Sequence, residues 1–263
     1  MLGRIARTSL LMAAGLAVAG VTLAGYATYS RNAAHQPAVR IKYFGDSTIW
    51  GTNVDGSGDQ YRNNPPRVLE RELRARCGLP VVVENDAVPG TFASQLLYGT
   101  DEYLKIPFDQ RMARSAASLV IFNFGMNDAA GYADAPSYRH HLSELTRIAT
   151  EHGKQVVLES PNPALPGGVT LTTQPAWLAS LIPVQQAIAA QYHVPLVDQY
   201  HAFLASGADL SALFPDGIHP TEAVAAEKAR RVADAVEPMI CPQASRLGRW
   251  VRLKADRLLA TDR

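Results

Sequence analysis

The sequence predicts an α/β domain: a parallel sheet with helices packed on both faces. Three observations predict it. Short, β-branched apolar runs alternate with longer amphipathic stretches along most of the 263 residues. Such alternation implies right-handed crossovers that place helices on both sides of a parallel sheet. The runs are apolar nearly throughout, as strands buried on both faces are. And about 200 residues lie between two distinctive terminal segments, a length that suits one domain with a substantial core.

The chain opens with Arg4 and Arg7, an uncharged segment from Thr8 to Ser30 rich in Ala, Leu, Val and Gly, and then Arg31. Residues 1–35 therefore read as a signal peptide or an N-terminal membrane anchor. The run is long enough to span a bilayer, yet it is only mildly apolar and Gly25-Tyr26-Ala27 is a tolerable cleavage site, so both readings stay open. Basic charge ahead of the run holds that end in the cytoplasm, so the remainder is expected to be exported, to the periplasm or the outside. The domain proper is expected at residues 36–242. Its strands fall at residues 39–44, 81–84, 119–123, 155–158 and 195–197. Its helices fall at 66–76, 91–98, 137–151, 177–192 and about 220–236. Long loops at 48–65, 160–175 and 202–215 interrupt this order, and long loops in compact α/β domains are usually functional. The basic tail, residues 243–263, sets Arg246, Arg249, Arg252, Lys254 and Arg257 beside Leu247, Trp250, Val251 and Leu258. That mixture suits contact with an anionic membrane surface, and a solvated tail is the alternative.

Charge excludes some partners. Residues 32–242 hold 16 basic and 22 acidic side chains, and the tail holds six and two. An acidic domain argues against a nucleic-acid partner. The histidines lack metal-ligand spacing, so no metal site is expected. Gly56-Ser57-Gly58 is not a phosphate loop, because no Lys-Ser/Thr pair follows and no helix opens there. Cys77 and Cys241 show neither metal nor redox spacing, and in an exported chain they raise the prospect of one disulfide.

Four stretches carry chemistry. Gly45-Asp46-Ser47 ends the first strand, where open α/β sheets bind ligands. Asn85-Asp86-Ala87-Val88-Pro89-Gly90 follows the second strand and Gly125-Met126-Asn127-Asp128 the third. Asp216-Gly217-Ile218-His219-Pro220 precedes the last helix. Each alone reads as an ordinary turn; together, a parallel sheet brings them to one edge. A serine hydroxyl needs a base to become a nucleophile, and His219 can serve, with Asp216 near enough to orient its imidazole. Acyl transfer also needs donors for the developing oxyanion. The Ser47 and Gly90 backbone N–H groups and the Asn127 amide are candidates. Asp46 is expected to fix its turn through local bonds.

In type, order and spacing these stretches resemble the four blocks of the SGNH hydrolases, also called GDSL esterases/lipases, and the resemblance covers roughly residues 40–236. It implies a flavodoxin-like three-layer α/β/α sandwich and no metal or organic cofactor. It also implies an ester hydrolase with Ser47 as nucleophile, His219 as base, Asp216 as its partner, and Gly90 and Asn127 as oxyanion donors. The family includes lipases, thioesterases, lysophospholipases, carbohydrate O-acetylesterases and acyltransferases, so the substrate, a small-molecule or glycan ester, stays open. Trp50 and Tyr61 are candidate substrate-binding residues: with Asn53 and Asn63 nearby, they suit stacking and hydrogen bonding to a sugar, which favours a short acyl group on a glycan. Packing is the alternative role for both rings. An O-acyltransferase using the same three residues, or a non-catalytic binding module, is the rival reading. In a flavodoxin-like sheet the first and last helices share a face, so Cys77 and Cys241 are expected to form a disulfide, with two buried thiols as the alternative.

Overall fold

The computed structural model describes residues 37–131, 134–167 and 175–241. The readings placed on residues 1–35 and on the tail lie outside the described residues. Five strands form one sheet: β1 (Val39–Gly45), β2 (Val81–Asn85), β3 (Leu119–Asn123), β4 (Gln155–Glu159) and β5 (Leu196–Val197). Their order is β2-β1-β3-β4-β5 and every pairing is parallel. The chain leaves β1 for β2 on one side and returns to β3 on the other. The topological switch point thus lies at the carboxyl end of β1, beside Ser47.

The helices are α1 (Ser47–Trp50), α2 (Pro65–Cys77), α3 (Ala93–Tyr98), α4 (Phe108–Arg114), α5 (Met126–Ala130), α6 (Ala135–Glu151), α7 (Pro175–Tyr192), α8 (Gln199–Leu204), α9 (Leu210–Leu213) and α10 (Glu222–Ile240). Strand side chains point alternately to the two faces, and the apolar runs serve both. Ile41, Tyr43, Leu119, Ile121 and Val157 pack under α2 and α10. Phe44, Val120, Phe122, Val156 and Leu158 pack under α3, α4, α6 and α7. The result is the three-layer α/β/α sandwich.

Local chemistry explains where α2 begins and ends. Asn64 accepts from the Arg67 N–H at its start, Pro65 and Pro66 occupy the first turn, and Gly78 closes the other end. The last helix runs beyond the expected residue 236, through Pro238, because Met239 and Ile240 still have a core to pack against. The helix α4 was not anticipated: Phe108 and Met112 are buried one turn apart, too short a repeat to stand out. The start edge of the sheet is fastened covalently. Cys77 and Cys241, 164 residues apart, are joined by a disulfide, and close to Cys77 in sequence Pro80 O accepts from the Val39 N–H that opens β1. Among the described residues no helix is long and apolar enough to cross a membrane.

Candidate active site

Gly45 ends β1 with no room for a side chain: a Cβ there would stand 2.8 Å from the Ile49 side chain and 2.9 Å from Asn123 O. Asp46, fully buried, caps α1 by accepting from Thr48 N at 2.9 Å and Thr48 Oγ1 at 2.8 Å. Burial pushes the Asp46 carboxyl up, while the Thr48 bonds and the nearby Lys228 and His219 charges resist. This cap sets Ser47 at the first position of α1, just past the sheet's carboxyl edge.

The partner turn arrives from the other end of the chain. Asp216 Oδ1 accepts from Ile218 N at 3.0 Å and His219 N at 2.7 Å, so the carboxylate organises its own turn. Its Oδ2 lies 2.6 Å from His219 Nδ1. Burial opposes ionisation of Asp216, yet the bonds from the imidazole and the two N–H groups outweigh it and hold the carboxyl below its usual range. With Nδ1–H directed at Asp216, Nε2 is left to accept from Ser47 Oγ, 2.8 Å away. A hydroxyl, an imidazole and a carboxylate therefore form one hydrogen-bonded chain, partly buried and reached from two elements 172 residues apart in sequence.

The other two stretches lie alongside. Gly90 is exposed at φ 78°, and a Cβ there would meet nothing within 4 Å, so the backbone is open to a ligand. Asn127 Nδ2 donates to Thr91 O at 3.1 Å, tying α5 to the segment after β2. An amide nitrogen carries two hydrogens, so that bond uses one of them. Gly125, at φ 128°, adopts a backbone conformation that side chains rarely permit.

The expectation for Tyr61, in the loop after Ser47, meets a different arrangement. Tyr61 is only 8 % exposed, its hydroxyl accepts from Val54 N at 3.2 Å, and its N–H donates to Gly51 O. It holds the loop together and presents no face for stacking a sugar. Trp50 is half-buried against the core under α2 and α10. Packing, the alternative role, is the one the ring of Tyr61 fills, while half-buried Trp50 stays a candidate.

Sequence reasoning missed a set of buried polar residues behind the site. Asp128 accepts from Gly125 N at 3.0 Å and Ala93 N at 3.2 Å, bracing the two loops that carry Asn127 and Gly90. Burial pushes its carboxyl up to about 7 despite those bonds. The signal was available, since an acid three residues after a glycine that opens a helix is a capping arrangement. Lys228 is fully buried among Val224, Ala225, Ala229 and Val232 on the apolar stripe of α10, and a charge inside such a stripe was the visible anomaly. Glu159, at the end of β4, accepts from Tyr43 Oη and from Gln199 Nε2. No group of three or more potential metal ligands occurs among the described residues.

A family described as GDSL-like Lipase/Acylhydrolase matches residues 43–226. Acetylxylan esterase of Xylanibacter ruminicola is similar, at 23% identity over 230 residues, covering 77% of this chain and 44% of that protein. The chain thus spans less than half the length of that relative. Among solved structures, a lipase/acylhydrolase of Enterococcus faecalis superposes with a TM-score of 0.61 at 21% identity, over 76% of this chain and 96% of that one. The native aryl esterase of M. smegmatis gives 0.60 at 21%, over 77% and 100%. Est24, a carbohydrate acetylesterase of Sinorhizobium meliloti, gives 0.60 at 15%, over 77% and 100%. At these identities the superpositions show the fold.

Proposed function

The chain belongs to the GDSL-like lipase/acylhydrolase family, and from that premise we propose that it is a serine esterase using Ser47, His219 and Asp216. The observation that carries this reading is the hydrogen-bonded chain from Ser47 Oγ through His219 to Asp216, with links of 2.8 and 2.6 Å. His219 Nε2 takes the Ser47 proton as Oγ attacks the ester carbonyl. The imidazolium that results is stabilised by Asp216 and returns the proton to the departing alkoxide. Water, activated by the same nitrogen, then releases the acyl group from Ser47. The second hydrogen of Asn127 Nδ2, with the Ser47 and Gly90 N–H groups, is assigned to the oxyanion.

For substrate we propose a short acyl group, acetate above all, on a glycan. The support is the activity of two similar proteins, an acetylxylan esterase and a carbohydrate acetylesterase. Tyr61 lends none. We further propose that residues 1–35 direct export and that membrane contact, where it occurs, runs through residues 8–30 and the basic tail. The test is a chain-length series of p-nitrophenyl esters run beside acetylated xylan, with Ser47→Ala as control. We expect the highest kcat/KM on acetate, acetate release from the polymer, and a loss of about 10⁴-fold or more in the control. A preference for long acyl chains would redirect the reading to a lipase, and transfer to an added sugar acceptor to an acyltransferase. Full activity of Ser47→Ala would sink the assignment of the site.

A further inference from the structure

We propose that Asn162, oriented by the buried ammonium of Lys228, is a positioning residue that fixes the His219 turn against the sheet. The inference rests on the reading of Ser47 and His219 given above. Asp216 and His219 share one turn, so their mutual bond orients the ring but cannot place the turn relative to β1, where Ser47 sits. That placement needs bonds from outside the turn. Asn162 provides one. It lies just past β4, is fully buried, and donates from Nδ2 to Ile218 O at 2.8 Å, the carbonyl directly before His219. Leu165 N provides a second, to Gly217 O at 2.8 Å.

An amide can point either way, and only one orientation serves here. Lys228 Nζ lies 3.0 Å from Asn162 Oδ1 and donates to it. That bond selects the orientation in which Nδ2 faces Ile218 O. The flipped amide would set two acceptors against each other and leave the ammonium facing donors. Burial opposes the charge on Lys228 and holds its pKa below the usual lysine range, while Glu159 and Asp46 favour that charge and Arg231 opposes it. Asp46 caps the helix that bears Ser47. Lys228 therefore acts electrostatically on the cap of the nucleophile helix and bonds the amide that anchors the base. Burying its ammonium is costly unless it is paired.

The discriminating variant is Asn162→Asp. It keeps an acceptor for Lys228 while setting a carboxylate oxygen where the donor to Ile218 O was, so the decision rests on kcat of the folded protein and not on its stability. Misplacing a catalytic group by about 1 Å can cost on the order of 10²-fold. We expect Asn162→Asp and Asn162→Ala to lower kcat on p-nitrophenyl acetate by roughly 10- to 100-fold with KM nearly unchanged. Labelling of Ser47 by a fluorophosphonate should slow in parallel. Lys228→Met should act in the same direction, and joined to Asn162→Ala it should add little, because the two act as a unit. Wild-type kcat and labelling rate in Asn162→Asp, whatever its melting temperature, would overturn the inference. Should Asn162→Ala not fold, Asn162→Asp gives the same decision. The Ser47→Ala control separates the two levels: if it retains activity the assignment of the site fails, and if it is dead while the Asn162 variants are unimpaired only the positioning role fails.

Discussion

Asp128 links stability to pH. Its carboxyl sits near pH 7 when folded, against 3.8 for the ordinary group. The folded chain therefore binds that proton more tightly than the unfolded chain does. The stabilisation is fully present below about pH 4 and is lost as pH rises towards 7, by at most roughly 4 kcal/mol. Asp128→Ala removes this dependence together with two accepted N–H bonds. Urea unfolding of wild type and Asp128→Ala at pH 4.5 and 7.5 should show the stability gap between them narrowing at the higher pH. A gap that widens instead would mean that the N–H groups of Gly125 and Ala93 stabilise the ionised carboxylate more than burial opposes it.

Among elements, the pairing of α2 with α10 decides how the chain holds together. The two helices cover the same face of the sheet, and the Cys77–Cys241 bond closes a loop of 164 residues at their carboxyl ends. In the chain-entropy account a loop of that size stabilises by up to roughly 5 kcal/mol, and removing such a bond typically costs 2–5 kcal/mol. We expect Cys77→Ser/Cys241→Ser to lower the urea midpoint accordingly, with kcat of the folded protein unchanged because the bond lies at the opposite edge from Ser47. An unchanged midpoint would show that packing of Leu73, Val232 and Val236 suffices by itself.

At the scale of the whole molecule, the polarity of a parallel sheet separates chemistry from the chain ends. Ser47, Gly90 and Asn127 follow strand ends, whereas Val39 opens β1 and Cys241 is bonded to Cys77 at the start edge. The segments before residue 37 and after residue 241 thus attach at one pole and the candidate site opens at the other. A domain tethered by residues 8–30 would present the site away from the bilayer. Full-length chain in vesicles should then deacetylate soluble xylan as fast as a domain released from its first 36 residues. A loss of several-fold on the vesicles would place the site towards the membrane.

The four stretches around Ser47, Gly90, Asn127 and His219 were legible in the sequence because each combines a turn-forming residue with a reactive one at an element boundary, and the strands were legible because burial on both faces leaves an unbroken apolar run. Strand limits came within a residue or two for the same reason. The short helices α4, α8 and α9 were not, since a turn or two offers too few repeats to reveal a period. Nor was the role of Tyr61, whose burial depends on how its loop folds back on Gly51 and Val54. The partners of the support behind the site, Asn162, Lys228 and Glu159, were also hidden. These residues do not neighbour the residues they position in sequence, and only the packing of β4, α10 and the carboxyl edge brings Lys228 to Asn162 and Asn162 to the carbonyl before His219. Residue type alone marked Ser47, His219 and Asp216 as candidates for chemistry, because a hydroxyl, an imidazole and a carboxylate are given by the side chains themselves. The tertiary structure alone decided what holds those atoms in register, because a buried polar side chain takes its meaning from the partner that folding supplies.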